Sequence, residues 1–392
     1  MPSFVTHLES ALDSTRLPAD RPQTMHRDRP LWVRYDLHRV AAAMSKQLVA
    51  SREPTLWRYR ELLPYAESES VVSLGETMTP LVKCPRLGAH FGLRNLWIKD
   101  ESRLPTGSFK SRGLAMAVTM ARQFGLRRLA IPTAGNAGGA LAAYAARAGI
   151  EAIVFMPADT PAINQYECHL AGAKTFLVDG LINDCGKIVR EGIERLGWFD
   201  VSTLKEPYRI EGKKTMGLEL AEQFEWQLPD VILYPTGGGT GLVGMWKAFD
   251  ELTTLGWLAD ASRPRMVAVQ SDGCAPIVRA FESGQRFAEP FAGAATIASG
   301  LRVPAAVGDF MILDAVRASG GRALSASEPR IREWMALGMQ SEGLPICPET
   351  ALCLGALDRL CAEGWIRPDE RVVVFNTGAA QKYPEVMRVD LP

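Results

Sequence analysis

Val231-Ile-Leu-Tyr-Pro-Thr-Gly-Gly-Gly-Thr-Gly241 runs from four strand-forming residues into a glycine turn, and Leu242 then opens an apolar helical stretch. A strand that turns through glycine into a helix is the unit of an α/β fold, and it leaves successive backbone N–H groups free to face an anion. The helix N-terminus adds its partial positive charge. Gly237, Gly238, Gly239, Thr240 and Gly241 are therefore candidates for a phosphate cup. No G-K-[ST] follows, which excludes a Walker loop, and the G-x-G-x-x-G spacing of dinucleotide folds is matched poorly. Alone, such a cluster also reads as a left-handed turn that binds nothing.

Working outward, the same alternation holds for most of the chain. Short apolar runs at 96–99, 128–131, 152–156, 175–178, 231–234, 266–269 and 372–375 predict strands. Helical patterns fall at about 108–124, 137–148, 161–171, 213–225, 241–255, 327–342 and 349–362. Strands that are apolar on both faces and separated by helices predict an α/β chain with mostly parallel, buried sheets. Residues 1–55 are rich in Arg, Asp, His and Pro and predict an arm on the main body, with one amphipathic segment from Leu37 to Leu48.

Two other loops have the same strand-to-turn character. Thr133-Ala-Gly-Asn136-Ala137 places an amide at the mouth of an Ala-rich helix, where Asn136 could donate to a ring oxygen or serve simply as a turn residue. Phe375-Asn-Thr377-Gly378 follows the last strand and offers a hydroxyl. Lys110, in Pro105-Thr-Gly-Ser-Phe-Lys110, lies at a helix start beside Phe109 and Gly113. A desolvated lysine there has its pKa pushed down and can form a Schiff base, whereas a solvated one would be an ordinary helix lysine.

The bulk composition narrows the partners. Forty-four Lys and Arg balance forty-four Asp and Glu over 392 residues, so no net field gathers nucleic acid or an anionic membrane. Seven cysteines without a C-x-x-C pair fit neither a disulfide framework nor a zinc site, which suggests a reducing cytoplasm. No apolar run has the length needed to span a bilayer, and no metal-ligand constellation emerges.

Taken together, Pro105 to Lys110, Thr133 to Ala137, Gly237 to Gly241 and Thr377-Gly378 with Lys382-x-Pro384 resemble the fold-type-II pyridoxal-phosphate enzymes. Within these they resemble the threonine synthases, as do Leu56 to Pro64, Val72 to Leu81 and Pro207 to Thr215. The resemblance covers about residues 55–385. It implies two α/β domains with mostly parallel open sheets and pyridoxal 5'-phosphate in the cleft between them. It assigns Lys110 as the Schiff-base lysine and catalytic base, Asn136 to the cofactor O3′, Gly237 to Gly241 to its phosphate, and Thr377 to its ring nitrogen. Thr133 and Arg209 would bind the substrate, Arg209 at a phosphate; by itself Arg209 could equally pair with Glu211 or a carbonyl. The expected substrate is a small amino acid, O-phosphohomoserine, converted with water to threonine and phosphate, and the expected assembly is a homodimer. The expected domains are a large one (56–108 and 215–392) and a small one (109–214).

Three positions depart from that pattern. Ser111 follows the lysine where Asp is common, and Thr203-Leu204 stands where Asn-Ser is common. Leucine removes a donor from a site meant for a dianion, although Arg302 could restore charge. The alternative reading is an ammonia-lyase acting on threonine or serine, which needs no large anion pocket.

Overall fold

The apolar runs read from the sequence become the central strands of two mostly parallel sheets. A computed structural model of the chain describes residues 3–66, 68–259 and 262–387. Its strands are β1 (Val5–Ser10), β2 (Arg16–Leu17), β3 (Leu31–Tyr35), β4 (Leu81–Lys83), β5 (Asn95–Asp100), β6 (Arg128–Pro132), β7 (Glu151–Pro157), β8 (Lys174–Val178), β9 (Phe199–Asp200), β10 (Val231–Pro235), β11 (Arg265–Ser271), β12 (Arg322–Ala326) and β13 (Arg371–Asn376).

The chain divides into two units. One comprises Met1–Met78, Lys110–Glu219 and Gly244–Trp257; the other comprises Thr79–Phe109, Leu220–Val243 and Leu258–Pro392. The first contains the parallel sheet β8-β7-β6-β9 and the antiparallel sheet β2-β1-β3. Its core gathers Val33, Leu56, Val118, Ile131, Leu141 and Val154. The second contains the sheet β12-β11-β10-β13-β5-β4, parallel except for the edge strand β4. Val231, Val267, Val372 and Val374 fill its core together with Leu352 and Trp334.

Several expectations shift in detail. The N-terminal residues form β1 to β3, with Leu8, Leu31 and Val33 buried, and the single amphipathic segment becomes two helices, Leu37–Ala43 and Lys46–Ala50. The helix expected from 108 begins at Lys110, because Thr106 and Gly107 both take left-handed backbone and Ser108 is extended. The helix expected from 213 begins at Tyr208, which brings Arg209 into its first turn. All seven cysteines are free thiols; six are buried and Cys361 is half-buried.

Candidate active site

In the second unit, three neighbouring parallel strands end at one edge. Val231 pairs with Val372 and Leu233 with Val374, while Phe375 pairs with Lys99, so the loops after β10, β13 and β5 leave together. Ligands of open α/β sheets bind at such carboxyl ends. After β10, Thr236 donates its backbone N–H to the Val269 carbonyl at 2.8 Å, and the turn Gly237 to Gly239 runs into the helix Thr240–Thr254. Gly239 is left-handed (φ +75°), and a Cβ there would lie 2.2 Å from Ile312 Cδ1. A Cβ on Gly237 would meet the Gly300 carbonyl at 2.6 Å, and one on Gly241 the Tyr234 hydroxyl at 2.0 Å. The turn thus has the shape of a phosphate cradle in which only glycine fits.

After β13, Thr377 accepts from the Phe109 N–H through its carbonyl at 3.0 Å, and Ala379 donates to Gly107 at 2.8 Å. Ser108 and Gly378 form a bridge, and Lys382 Nζ holds the Thr106 carbonyl at 3.0 Å. Those ties explain the left-handed Thr106-Gly107 pair: the segment turns to run beside the closing loop instead of entering the helix early. It delivers the chain to Lys110, the half-buried first residue of the helix Lys110–Gln123. The Ser108 hydroxyl, buried beside Thr377's loop, has no hydrogen-bond partner.

In the first unit, the adjacent parallel strands β6 and β9 likewise end at one edge. After β6, the buried Thr133 exchanges hydrogen bonds with the backbone of Gly135 at 3.2 Å, and half-buried Asn136 opens the helix Asn136–Ala148. After β9, the Val201 carbonyl accepts from Arg209 Nη1 at 2.8 Å. The edge thus gathers Thr133, Asn136 and Arg209. Arg209 is fully buried, and its Nε and Nη2 have no partner. Burial presses its pKa down, but a guanidinium stays charged near neutrality.

Of the two plain partners open to Arg209, Glu211 is not taken and a carbonyl, that of Val201, is. Glu206 instead caps this helix, accepting from the Tyr208 and Arg209 N–H groups at 2.7 and 3.2 Å. Burial pushes the Glu206 carboxyl up to about 7. Leu204 is buried and left-handed (φ +62°) in the loop between β9 and this helix. Glu211 turns to a buried quartet: Lys214 bridges Glu211 at 2.7 Å and Glu251 at 2.9 Å, and Lys247 bridges the same two carboxylates at 2.5 and 3.1 Å. Tyr35 donates to Glu211 at 2.7 Å, and its ring lies 4.2 Å from Lys214 Nζ. Burial raises the Glu211 carboxyl and the two ammonium groups more than reverse this, leaving it below its usual range.

Sequence reasoning did not find this quartet, nor the buried pair of Arg112 and Glu219 at 2.6 Å. Among the described residues no helix is long and apolar enough to cross a membrane, and no group of three or more His, Cys, Asp and Glu could hold a metal ion.

The model of the family described as "pyridoxal-phosphate dependent enzyme" matches residues 72–378. The chain is 34% identical over 352 residues to a threonine synthase of Methanocaldococcus jannaschii, covering 90% of this chain and 86% of that protein. It is 35% identical to one of Methanosarcina acetivorans over 90% of this chain and 86% of that one. The chain belongs to the threonine synthase family of pyridoxal-phosphate dependent enzymes. Family membership makes the cofactor pyridoxal 5'-phosphate, and a glycine cradle after β10 together with a buried, unpartnered Ser108 hydroxyl beside the loop after β13 fits a group with a phosphate and a polar ring. The fold is that of fold type II: maize serine racemase matches with a TM-score of 0.67 at 22% identity, over 80% of this chain and 89% of that one. A tomato (Solanum lycopersicum) threonine deaminase matches with a TM-score of 0.68 at 19% identity, over 86% and 95%.

Proposed function

We propose that this threonine synthase family member converts O-phosphohomoserine and water to threonine and phosphate, working as a homodimer in the cytoplasm. The observation that carries the substrate assignment is Arg209: a fully buried guanidinium with two of its three nitrogens unpartnered is a costly arrangement unless an anion completes it.

Gly237 to Gly241, with Thr240 at the helix start, would hold the cofactor phosphate by backbone N–H groups; Thr377 would meet the ring nitrogen, Asn136 the ring oxygen, and Lys110 would carry the covalent link. When bound, pyridoxal phosphate supplies an electron sink that stabilises negative charge next to the substrate's α-nitrogen. Lys110 would act as the base for the Cα proton and move protons at Cα and Cβ. Arg209 holds the phosphate that leaves from Cγ, while Thr133 orients the other end of the substrate. A hydroxyl at the ring nitrogen tempers the sink, which suits elimination and replacement over transamination.

A second reading, a threonine or serine ammonia-lyase, draws on Leu204, an apolar buried residue where the family pattern has a hydroxyl. Incubation with O-phosphohomoserine, L-threonine and L-serine, following phosphate and 2-oxo acid separately, decides between them. Phosphate with threonine supports the synthase; 2-oxo acid without phosphate supports the lyase. Lys110→Ala should abolish turnover and the borohydride-fixed cofactor label, and a label retained elsewhere would remove Lys110 from its role.

A further inference from the structure

Behind Thr377 lies a chain of buried polar groups that the proposed reaction does not use. Asn376 donates from Nδ2 to Asp100 at 2.8 Å, which turns its Oδ1 toward the Cys347 N–H at 3.1 Å and the Thr350 hydroxyl at 3.0 Å. Thr350 has one proton. Its two acceptors are Asn376 Oδ1 and the Phe375 carbonyl at 3.2 Å, so that proton is spent there. Thr350 Oγ1 is left to accept the Thr377 N–H at 3.2 Å, and it lies 3.1 Å from the Cys347 sulfur. The same sulfur lies 3.6 Å from Thr377 Oγ1.

Cys347 thus sits between two hydroxyl oxygens with a single S–H to give. Its side chain is fully buried, and burial pushes the thiol up to about 12, so the proton is permanently present and the sulfur does not act as a nucleophile. A pyridine nitrogen is a far better acceptor than a thiol sulfur. With a ring facing Thr377, the favoured arrangement has the Thr377 O–H pointing to the ring and the thiol turned to Thr377 Oγ1.

We propose that Cys347 is a positioning residue for the cofactor ring: its thiol donates to Thr377 Oγ1 and thereby directs the Thr377 proton onto the ring nitrogen, which stays unprotonated. This rests on the assignment of Thr377 as the ring-nitrogen partner. The buried geometry keeps the arrangement fixed, because Thr350, Asn376 and Asp100 hold the sulfur's other neighbours in one hydrogen-bond order. Serine in place of cysteine keeps a donor at the same point, whereas alanine and valine remove it.

The test titrates apoprotein with pyridoxal phosphate carrying a nitrogen-15 label in the ring, reading affinity and the ring-nitrogen chemical shift in Cys347→Ala, Cys347→Val, Cys347→Ser, Thr377→Val and the double variant Cys347→Ala/Thr377→Val. Apoprotein thermal unfolding is followed in parallel, and the valine variant, which fills the sulfur's volume, serves if alanine fails to fold. Expected are about fivefold weaker binding and a moved ring-nitrogen signal for alanine and valine, as for loss of one hydrogen bond. Serine should restore both readouts, and the double variant should be no worse than Thr377→Val alone. Unchanged affinity and signal in the alanine and valine variants, no rescue by serine, or additive losses in the double variant would overturn the inference while leaving Thr377's role intact. If Thr377→Val itself moves neither readout, the Thr377 assignment fails, and this inference with it.

Discussion

Arg209 grips the carbonyl of Val201 through Nη1 at 2.8 Å, and the other two nitrogens of its buried guanidinium make no hydrogen bond. Arg209→Lys keeps the charge but removes the fork. We expect kcat/KM for O-phosphohomoserine to fall by about 10- to 100-fold, as for loss of charge-assisted bonds, with cofactor affinity unchanged. Steady-state kinetics beside a cofactor titration measure both, and an unaltered kcat/KM would remove Arg209 from the substrate site.

Glu206 gives a pH signature. Its native carboxyl is held up to about 7 by burial, against 4.5 ordinarily. Between those values the native state holds a proton that the unfolded state has released, so the contribution is fully present below the lower value. It is lost as pH rises through the upper one. Stability should decline over that window by on the order of 3 kcal/mol and then level off. Denaturant unfolding at several pH values should show the decline in the parent and a flatter profile in Glu206→Gln; identical profiles would contradict it.

The cradle glycines make a steric prediction. In Gly237→Ala the new methyl meets backbone, the Gly300 carbonyl, which cannot swing away, and in Gly239→Ala it must also accept φ +75°. Each should cost about 1–3 kcal/mol of apoprotein stability and weaken cofactor retention sharply. Thermal unfolding and dialysis against cofactor-free buffer read the two effects; full retention in Gly237→Ala would exclude the turn as the phosphate cup.

Much of this was legible because buried parallel strands are written as short apolar runs. Val231 to Tyr234 and Val372 to Phe375 were both visible, and with them the turn Gly237 to Gly241 and the loop of Thr377. The helix Ile182–Leu196 was missed: Gly186 and Gly192 interrupt its pattern, and Gly192 is there because the Trp198 ring fills the space of a side chain. β1 to β3 were missed because an antiparallel sheet with polar outer positions, Thr6 and Arg34 among them, resembles a charged arm in composition. Arg209 was open to Glu211 or a carbonyl, and it takes a carbonyl, whereas the long-range partners of Glu211 and Cys347 could not be read. Tyr35 comes from β3 and Thr377 from the loop after β13, far in sequence from Glu211 and Cys347, and only the fold determines that they meet.

Tyr35 provides a test of the quartet. Tyr35→Phe deletes the hydroxyl given to Glu211 while leaving Lys214 and Lys247 in place. Loss of one hydrogen bond to a buried carboxylate should cost about 1–3 kcal/mol in urea unfolding. A change within error would mean that the two lysines satisfy Glu211 unaided.

The thiols have a practical consequence. Cys84 and Cys347 are pushed up to about 12 by burial, Cys185 and the half-buried Cys361 to about 11. Peroxides and alkylating reagents attack the thiolate, and near neutral pH these sites present almost none. Loss of these thiols under air, with no reductant added, should therefore follow the rate at which the chain opens rather than the rate at which a thiolate is oxidised.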